Sequence, residues 1–487
     1  MTRRSRLAPL FFLALAAAAA APLFAQEGFP PFTTDYPPEE FTARRNAMYD
    51  AIGKDGVAVV QGGETPVGYV RFRQSNDFYY LCGVEVPNAY LLLDGARRRA
   101  TLFLPHRNAG RERGEGKMWS SEDADEIQKM AGVEAVLGTD LLGETLGRYV
   151  QGGPHAFWTP LAPAEGFAVS RDLGLRRIAE MSSDPFDGGP SREGRLVSLV
   201  RERFPRFEVK DLSPALDNAR LIKSPREIAM LRRAAKLAGL ALMEGMRSVQ
   251  PGQYERELDG MAKFIYYRNG AQGESYYSLI ASGHNAWWPH YNAGKRKMED
   301  GDFLLMDFAP DVGYAQSDVT RMFPVNGKFS TWQRELYGFY LACYEAILHA
   351  IRPGVTAGQC MQDAVKKMDA LLASAKFSKE IYAAGAKAFV DEYRKGADRP
   401  DAALGHWVGM ATHDDGPHTG PLKAGMVFTI EPALRVPEEK IYVRLEDVIV
   451  ITEKGTDILS DFAPRDIDRI EKLMAEKGLL KTYPRAD

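Results

Sequence analysis

Residues 304–325 read LLMDFAPDVGYAQSDVTRMFPV, and this stretch holds the two acids on which the expected fold depends. Asp307 and Asp318 lie eleven positions apart in an apolar pattern typical of two strands joined by one turn. A buried carboxylate is costly unless a positive charge compensates it, and no basic residue lies between these two. The stretch therefore predicts a bound metal ion whose other ligands lie elsewhere in the chain.

The chain has 487 residues, of which 45% are hydrophobic and 26% are charged. This composition is that of an ordinary soluble enzyme, and the length favours two domains. We predict an N-terminal domain over residues 26–212 and a catalytic domain over residues 213–487. Just after this boundary, Ser224 and Glu227 can form a capping box, and Pro225 suits the first turn of a helix.

Residues 1–26 read MTRRSRLAPLFFLALAAAAAAPLFAQ, in which three arginines precede an apolar run and small residues. We interpret residues 1–25 as a cleaved signal peptide, and Pro22 makes a retained membrane anchor the weaker alternative. Loss of the three arginines changes the formal net charge from −3 to −6. We therefore expect an exported protein, periplasmic or secreted, that binds neither nucleic acid nor, after cleavage, the membrane.

Between residues 41 and 212 the pattern is that of an α/β domain. It predicts a helix at residues 191–204 and strands at residues 57–60, 78–84, 89–94 and 100–105. This half contains only His106 and His155, which do not form a clustered ligand set, so we expect it to be structural or oligomerising. Three cysteines in the whole chain allow one disulfide at most.

The second half is expected to be α+β. Its strands fall into two hairpin-like groups, one around the opening stretch and one over residues 425–455. Ser330 and Gln333 offer another capping box. Helical periodicity is predicted at residues 225–246, 255–269, 330–352, 357–375 and 465–480.

Two further acids lie in the second strand group, Glu431 in FTIEPAL (428–434) and Glu446 in VRLEDVIV (443–450). Side chains alternate along a strand, so Arg444 and Glu446 share one face while Asp447 takes the other. Alternation alone does not decide whether Glu446 or Asp447 faces the site. Four acids around one cavity would repel one another strongly without bound cations.

The segment LGHWVGMATHDDGPH (404–418) offers imidazoles at His406, His413 and His418. Several carboxylates combined with one imidazole are the ligand set of a two-metal hydrolytic centre. Ligation rich in oxygen favours Mn²⁺, while the imidazole leaves Zn²⁺, Co²⁺ and Fe²⁺ as alternatives. The residues therefore indicate a hydrolase that binds two divalent metal ions.

The order D-x₁₀-D, H-x₆-H, E-P and R-x-E-D resembles the pita-bread dinuclear metallopeptidases, which include aminopeptidase P (Xaa-Pro aminopeptidase), prolidase and methionine aminopeptidase. Residues 278–292 (SLIASGHNAWWPHYN) and 317–337 (SDVTRMFPVNGKFSTWQRELY) also match this family. Residues 73–93 (RQSNDFYYLCGVEVPNAYLLL) resemble the N-terminal domain of aminopeptidase P and prolidase. The resemblance implies an α+β fold with a C-terminal pita-bread domain behind a smaller α/β, creatinase-like domain.

The same resemblance implies a role for each site residue, and it favours Glu446 over Asp447. Glu431 would also carry a proton, His413 would stabilise the oxyanion, and His290 would face the substrate at the scissile bond. Arg444 would either neutralise the carboxylates or contact the substrate. Asp318 and Glu446 would bridge the ions. The implied metal ligands are Asp307, Asp318, His406, Glu431 and Glu446.

The implied activity is removal of an N-terminal residue that precedes proline, by a hydroxide held between two divalent metals. A homo-oligomer, dimeric or tetrameric, is expected. The alternatives are an Xaa-Pro dipeptidase (prolidase) and a catalytically inactive pita-bread binding protein. One departure stands out: Ala402 occupies the position where aminopeptidase P and prolidase usually carry a histidine, in a pattern like H-G-L-x-H. We expect this change to affect substrate binding around the proline rather than the chemistry.

Overall fold

The computed structural model describes residues 32, 35–152, 156–186 and 188–483. The predicted signal peptide, residues 1–25, lies outside these residues. No helix within the described ranges is long and apolar enough to cross a membrane. Cys82, Cys343 and Cys360 are all buried as free thiols.

The N-terminal half is built on one mixed sheet of six strands. These are β1 (Gly56–Gln61), β2 (Tyr90–Asp94), β3 (Arg99–Leu104), β4 (Ala135–Gly138), β5 (Ala156–Thr159) and β6 (Glu208–Asp211). Their spatial order is β4-β3-β2-β1-β5-β6. Strand β2 pairs antiparallel with both β1 and β3, whereas the pairs β3–β4, β1–β5 and β5–β6 are parallel.

Helices cover both faces of this sheet. Ala58 and Val60 of β1 belong to one hydrophobic cluster, and Val57 and Val59 belong to a second. Burial on both faces explains why this strand reads as an unbroken apolar run. The helices are α1 (Pro38–Ile52), α2 (Asn76–Cys82), α3 (Ala109–Glu115), α4 (Ala124–Ala131), α5 (Leu142–Gly152), α6 (Arg171–Ser183), α7 (Arg192–Arg203) and α8 (Ser213–Leu221).

The strand predicted at residues 78–84 is wrong, because this segment belongs to α2. All of α2 except Asp77 is buried, so its apolar run shows no helical period that separates it from a buried strand. The helix ends at Gly83, which has a φ of 68° and donates its N–H to Tyr79 O at 2.8 Å. The other predicted strands of this half and the helix at residues 191–204 are confirmed.

The C-terminal half contains several small antiparallel sheets, in the two groups predicted. The first group pairs β11, β9 and β8, and a short pair joins β10 to β7; the second pairs β12, β15 and β16, with β13 next to β14. The strands are β7 (Gly273–Glu274), β8 (Leu279–Ser282), β9 (Phe303–Asp307), β10 (Pro310–Asp311), β11 (Thr320–Pro324), β12 (Val427–Ile430), β13 (Ala433–Val436), β14 (Ile441–Arg444), β15 (Asp447–Thr452) and β16 (Gly455–Ile458).

The predicted capping boxes begin two of the helices of this half. Ser224 Oγ accepts from the Glu227 N–H at 3.2 Å, and the Glu227 carboxylate accepts from the Ser224 N–H at 2.8 Å. At the second helix, Gln333 Oε1 accepts from the Ser330 N–H at 2.8 Å. The terminal helix is broken in two, and α13 was not predicted. The helices are α9 (Pro225–Ser248), α10 (Glu255–Arg268), α11 (Thr331–Ala350), α12 (Ala357–Ser374), α13 (Glu380–Ala397), α14 (Ile467–Met474) and α15 (Leu479–Thr482).

The opening stretch forms β9, β10 and β11, with a tight turn at Gly313 and Tyr314. These two residues have φ of 57° and 68°, as in the two-residue turns that suit hairpins. The left-handed backbone is costly for a tyrosine, by about 1 kcal/mol or more. The Tyr314 ring stacks on Tyr79 with centroids 3.5 Å apart, and its hydroxyl donates to Glu85 at 2.7 Å. Contacts from the N-terminal half therefore stabilise this turn.

Arg73 of the N-terminal half holds the same turn from another side. Its Nε donates to Asp311 Oδ2 at 2.5 Å, and its Nη2 donates to Met410 O at 3.2 Å. Its guanidinium lies 4.3 Å from the centre of the Tyr314 ring. The chain between the two aspartates is thus fixed to the neighbouring half of the protein.

Candidate metal centre

Asp307 and Asp318 lie side by side because the hairpin of β9 and β11 brings them together. Asp307 ends β9 opposite Thr320, which begins β11, and Asp318 precedes Thr320 by two positions. Both carboxylates are buried. The Tyr276 hydroxyl lies 2.6 Å from Asp307 Oδ1 and also contacts Asp318 Oδ1, so one phenol holds both carboxylates.

Glu431 and Glu446 come from the second strand group. Glu431 follows β12, and Glu446 lies between β14 and β15. Thr320 Oγ1 donates to Glu446 Oε2 at 2.8 Å, and Arg444 Nη1 donates to Glu431 Oε2 at 3.0 Å. Asp447 points away into a separate buried ion-pair network. The structure therefore places Glu446, not Asp447, beside the two aspartates.

His406 completes the cluster from the loop between α13 and β12. Its Nδ1 lies 3.1 Å from the carbonyl oxygen of Trp407, which favours a proton on Nδ1 and leaves Nε2 available as a ligand. This Nε2 lies 3.5 Å from Asp318 Oδ2, 3.5 Å from Glu431 Oε1 and 3.9 Å from Glu446 Oε1. All five predicted metal ligands are thus gathered in one place.

The donor atoms of this cluster suit a pair of cations. His406 Nε2 and Glu446 Oε1 are buried without a hydrogen-bond partner among the described residues, and a cation would satisfy both. Ligand atoms of Asp307, Asp318 and Glu446 lie within 4.8 Å of one another. The same holds for His406, Glu431 and Glu446. Two ligand groups that share Glu446 fit two neighbouring ions.

Among the described residues, the guanidinium of Arg444 is the one that pairs with carboxylates of the cluster. Arg444 is buried, donates to Glu431 and contacts Asp307 directly through Nη2. Burial nevertheless raises the pKa of Asp307 to about 7, because Arg444 compensates it only in part. Burial, reinforced by Asp318, raises the pKa of Glu446 well above its usual range. Much of the negative charge is therefore left for bound cations to neutralise.

His406 takes up some of that charge when no metal is bound. Burial alone would lower its pKa, but the carboxylates of Asp318 and Glu431 raise it to about 9. Burial alone would raise the pKa of Asp318, but the neighbouring imidazole lowers it to about 2. A metal ion on Nε2 must displace the proton of this imidazolium, so metal binding is coupled to proton release.

A cleft of about 840 Å³, open to solvent, lies over these residues. His290 is exposed in the cleft wall, and the ring of His413 lies 4.2 Å from that of His406. Burial, followed by the charge of His406, lowers the pKa of His413, which favours a neutral ring. Of the predicted residues, the cleft is lined by His290, Asp307, Asp318, His406, His413, Glu431 and Arg444.

The N-terminal half supplies part of the cleft wall, which corrects the expectation that it is only structural or oligomerising. Ser170, Asp172, Leu173 and Arg176 line the cleft. Asp172 Oδ2 lies 3.3 Å from His413 Nδ1, and Ser170 Oγ accepts from the His413 N–H at 3.3 Å. No motif marks this segment, and only the folded chain brings it to the metal ligands.

Ala402 does not line the cleft. It is buried, and its N–H donates to Arg399 O at 3.2 Å. A Cβ built on Gly358 would lie 3.5 Å from the Ala402 Cβ, so the methyl group faces the start of α12. The position at which the family pattern H-G-L-x-H would place a histidine is therefore packed into the protein here.

Comparison with known proteins agrees with this architecture. The model of metallopeptidase family M24 matches residues 229–453, and the aminopeptidase P N-terminal domain matches residues 41–157. The Xaa-Pro aminopeptidase of Escherichia coli K12 is 30% identical over 459 residues, covering 90% of this chain and 97% of the relative. Human Xaa-Pro aminopeptidase 3 is 28% identical, and the match covers 83% of this chain and 77% of the relative.

A solved structure of E. coli aminopeptidase P with the inhibitor Pro-Leu superposes with a TM-score of 0.72. It is 28% identical, and the match covers 91% of this chain and 99% of that one. A structure described as a putative aminopeptidase P of Bacillus anthracis shares the fold, with a TM-score of 0.76 at 23% identity.

The fold and the ligand cluster together define a metallopeptidase with a pita-bread catalytic domain, and the chain belongs to metallopeptidase family M24. Because the N-terminal domain also matches, it is a metallo-aminopeptidase of the aminopeptidase P branch. The predicted family and the α+β fold are confirmed. The exact domain limits and the roles of single site residues stay predictions.

Proposed function

We propose that this enzyme removes the N-terminal residue from peptides in which proline is the second residue. The observation that carries the proposal is the cage of four carboxylates and one imidazole beneath an open cleft. The relatives named above are Xaa-Pro aminopeptidases, which favours this activity over an Xaa-Pro dipeptidase. The complete ligand set argues against an inactive binding protein.

Two divalent cations would be held by the five predicted ligands. Asp318 and Glu446 would bridge them, with Asp307 on one ion and His406 and Glu431 on the other. The shared position of Glu446 in two ligand groups supports this arrangement. We propose Mn²⁺ as the native metal because four of the five ligands are carboxylates, with Zn²⁺, Co²⁺ and Fe²⁺ as alternatives.

The side chains around the cage prepare the site for hydrolysis. Bound cations would supply an acidified water and a Lewis acid for the scissile carbonyl. Glu431 is partly exposed to the cleft, so its carboxylate can take a proton from the attacking water and pass it to the leaving nitrogen. Tyr276 and Thr320 hold Asp307, Asp318 and Glu446 in place through hydrogen bonds.

The histidines of the cleft would act on the substrate. A proton-bearing nitrogen of His413 can donate to the oxyanion that develops at the carbonyl. His290 faces the same space from the exposed wall. Arg444 already contacts Asp307 and Glu431, so we assign it charge compensation first and substrate contact second.

Digestion of a peptide library by the full-length protein loaded with Mn²⁺ tests the proposal. We expect release of the first residue only where proline follows, from tripeptides and longer peptides as well as dipeptides. Glu431→Gln should lower kcat by about 10²- to 10⁴-fold because the proton carrier is lost. Glu438→Gln, which alters an exposed turn glutamate, should leave kcat unchanged. Cleavage of dipeptides alone would instead assign a dipeptidase.

We also propose that the protein is exported and forms a homo-oligomer. Export is supported by the arginine-rich, apolar pattern of residues 1–26. The dimer or tetramer is supported by family resemblance. Mass spectrometry of the protein from fractionated cells should give a mature chain beginning near residue 26, and light scattering should give its assembly mass. An uncut chain or a monomer would refute the respective proposal.

A further inference from the structure

Arg176 is a cation of the cleft wall that has no partner among the described residues. Only two arginines, Arg176 and Arg444, are found among the described residues that line the cleft. Arg444 is buried and engaged by two carboxylates. Arg176 is exposed and makes no hydrogen bond or ion pair within the described part of the chain. Its guanidinium therefore remains available for a ligand in the cleft.

The nearest acidic neighbour along the helix does not occupy Arg176. Asp172 lies one turn earlier on α6, and its Oδ2 is directed to His413 Nδ1 at 3.3 Å. A carboxylate four residues before an arginine often pairs with it on a helix, but here each faces the cleft separately. The floor of the cleft is acidic, since it is formed by the carboxylates of Asp307, Asp318 and Glu431. Its wall carries Arg176, which has no partner in the described part of the chain.

The helix that carries Arg176 is firmly placed. Arg171, in its first turn, pairs with Asp217 at 2.7 Å and with Asp415 at 2.9 Å. Asp415 follows His413 by two positions. The largely buried ion pair between Arg171 and Asp415 therefore joins α6 to the loop that carries His413. A side chain projecting from such an anchored helix can recognise a ligand at a fixed distance from the metal ligands.

We propose that Arg176 binds the C-terminal carboxylate of short peptide substrates. This inference rests on the proposed function and deepens it. A free peptide carries an α-ammonium at one end and an α-carboxylate at the other. The scissile bond follows the first residue, so the ammonium end would lie over the acidic floor and the rest of the peptide would extend along the wall. A planar guanidinium there matches a carboxylate through two parallel hydrogen bonds.

The consequence is a preference for short peptides. In this proposal a tripeptide would place its carboxylate on Arg176 while its first peptide bond lies at the metal ligands, most of which line the same cleft. A longer chain has only neutral backbone at that point and gains less. Arg176 would therefore act as a specificity-determining residue, which selects substrate length without touching the reacting atoms.

The test compares Ala-Pro-Leu with its C-terminal amide, using the full-length protein loaded with Mn²⁺. We expect the free acid to have the lower KM, and Arg176→Gln to raise that KM about three- to tenfold with kcat little changed. The KM of the amide should not respond. Arg176→Lys should keep part of the preference. Arg177→Gln is the matched control, because that exposed arginine does not line the cleft.

Calorimetry with Pro-Leu and Pro-Leu amide gives a second readout that needs no turnover. Tighter binding of the acid than of the amide, with this difference lost in Arg176→Gln, supports the inference. This holds even if no peptide is hydrolysed, because a lack of hydrolysis contradicts only the proposed function. Equal affinity for acid and amide overturns the inference even if both tripeptides are cleaved. An equal change for acid and amide in Arg176→Gln also overturns it, since the effect is then not on the carboxylate.

Discussion

Asp307 and Glu446 are carboxylates that the fold keeps away from water, and each holds a proton easily until a cation arrives. Burial raises the pKa of Asp307 to about 7 and that of Glu446 well above its usual range. His406 is protonated in the same metal-free state, since its acidic neighbours raise its pKa to about 9 against the effect of burial. Ligands must lose these protons before they bind a metal.

We therefore predict that the Mn²⁺ affinity of the metal-free protein falls as the pH falls. Below about pH 7 Asp307 is protonated, so the metal competes with a proton there as well as at His406. Each displaced proton weakens the apparent Kd by about tenfold per pH unit. Calorimetric titration between about pH 6 and about pH 8, in buffers of different ionisation enthalpy, measures both the affinity and the protons released.

Asp307→Asn serves as the comparison for this titration. It removes one titrating ligand, so the affinity should be weaker and its dependence on pH shallower. An affinity of the unchanged protein that does not vary over this pH range would contradict the pKa assignments.

The five candidate ligands could be named from the sequence because their order resembles that of a known metallopeptidase family, whereas alternation along the strand left Glu446 and Asp447 as alternatives. Tyr276 and Thr320 could not. Thr320 reaches Glu446 only because the register of β9 and β11 sets it opposite Asp307. A sequence shows which residues alternate along one strand, but not which residue of the next strand lies opposite.

At the level of single helices and strands, local sequence signals determine whether an element can be predicted correctly. The helices that begin after Ser224 and Ser330 could be predicted because each serine and its Glu or Gln partner lie within four residues of one another in the sequence. The segment of α2 was misassigned because both a buried strand and a buried helix can be apolar on every side. Its glycine C-cap at Gly83 was the available signal, because a length of seven residues suits a strand as well as a short helix.

We predict that Ser224→Ala destabilises the protein by about 1 kcal/mol, because α9 loses the oxygen that caps its N-terminus. The hydroxyl also donates to Glu40 at 2.6 Å, a contact that the substitution removes as well. Urea unfolding measures the change. Ser198→Ala, which alters an exposed serine inside α7, should change stability by less than about 0.5 kcal/mol. Equal effects of both variants would argue against the cap.

At the level of the whole molecule, the two halves meet at the segment between Asp307 and Asp318. Arg73, Tyr79 and Glu85 of one half hold Asp311 and Tyr314 of the other. The sequence predicted each half, but no pattern indicates that two segments more than two hundred positions apart pair across a junction. Such contacts follow only from the complete packing.

We predict that Arg73→Met destabilises the protein by about 3–5 kcal/mol, because it leaves the Asp311 carboxylate buried and unpaired. The Asp311 side chain is only 1% exposed, so water cannot replace the lost partner. Urea unfolding and Mn²⁺ titration together measure the effect. Arg71→Met is the matched control, since that arginine is exposed two positions earlier and should change stability by less than about 0.5 kcal/mol. A cost near that of the control would show that the Arg73 pair is dispensable.

The turn at Gly313 and Tyr314 limits how freely the catalytic half can be exchanged. Tyr314 keeps its left-handed backbone while the ring of Tyr79 and the carboxylate of Glu85 hold it. A catalytic half grafted onto a foreign partner would retain Asp307 and Asp318 but lose the support between them. The catalytic half therefore cannot be transferred to another protein by itself. The transfer requires either the N-terminal half or a new turn, with glycine as the natural replacement at position 314.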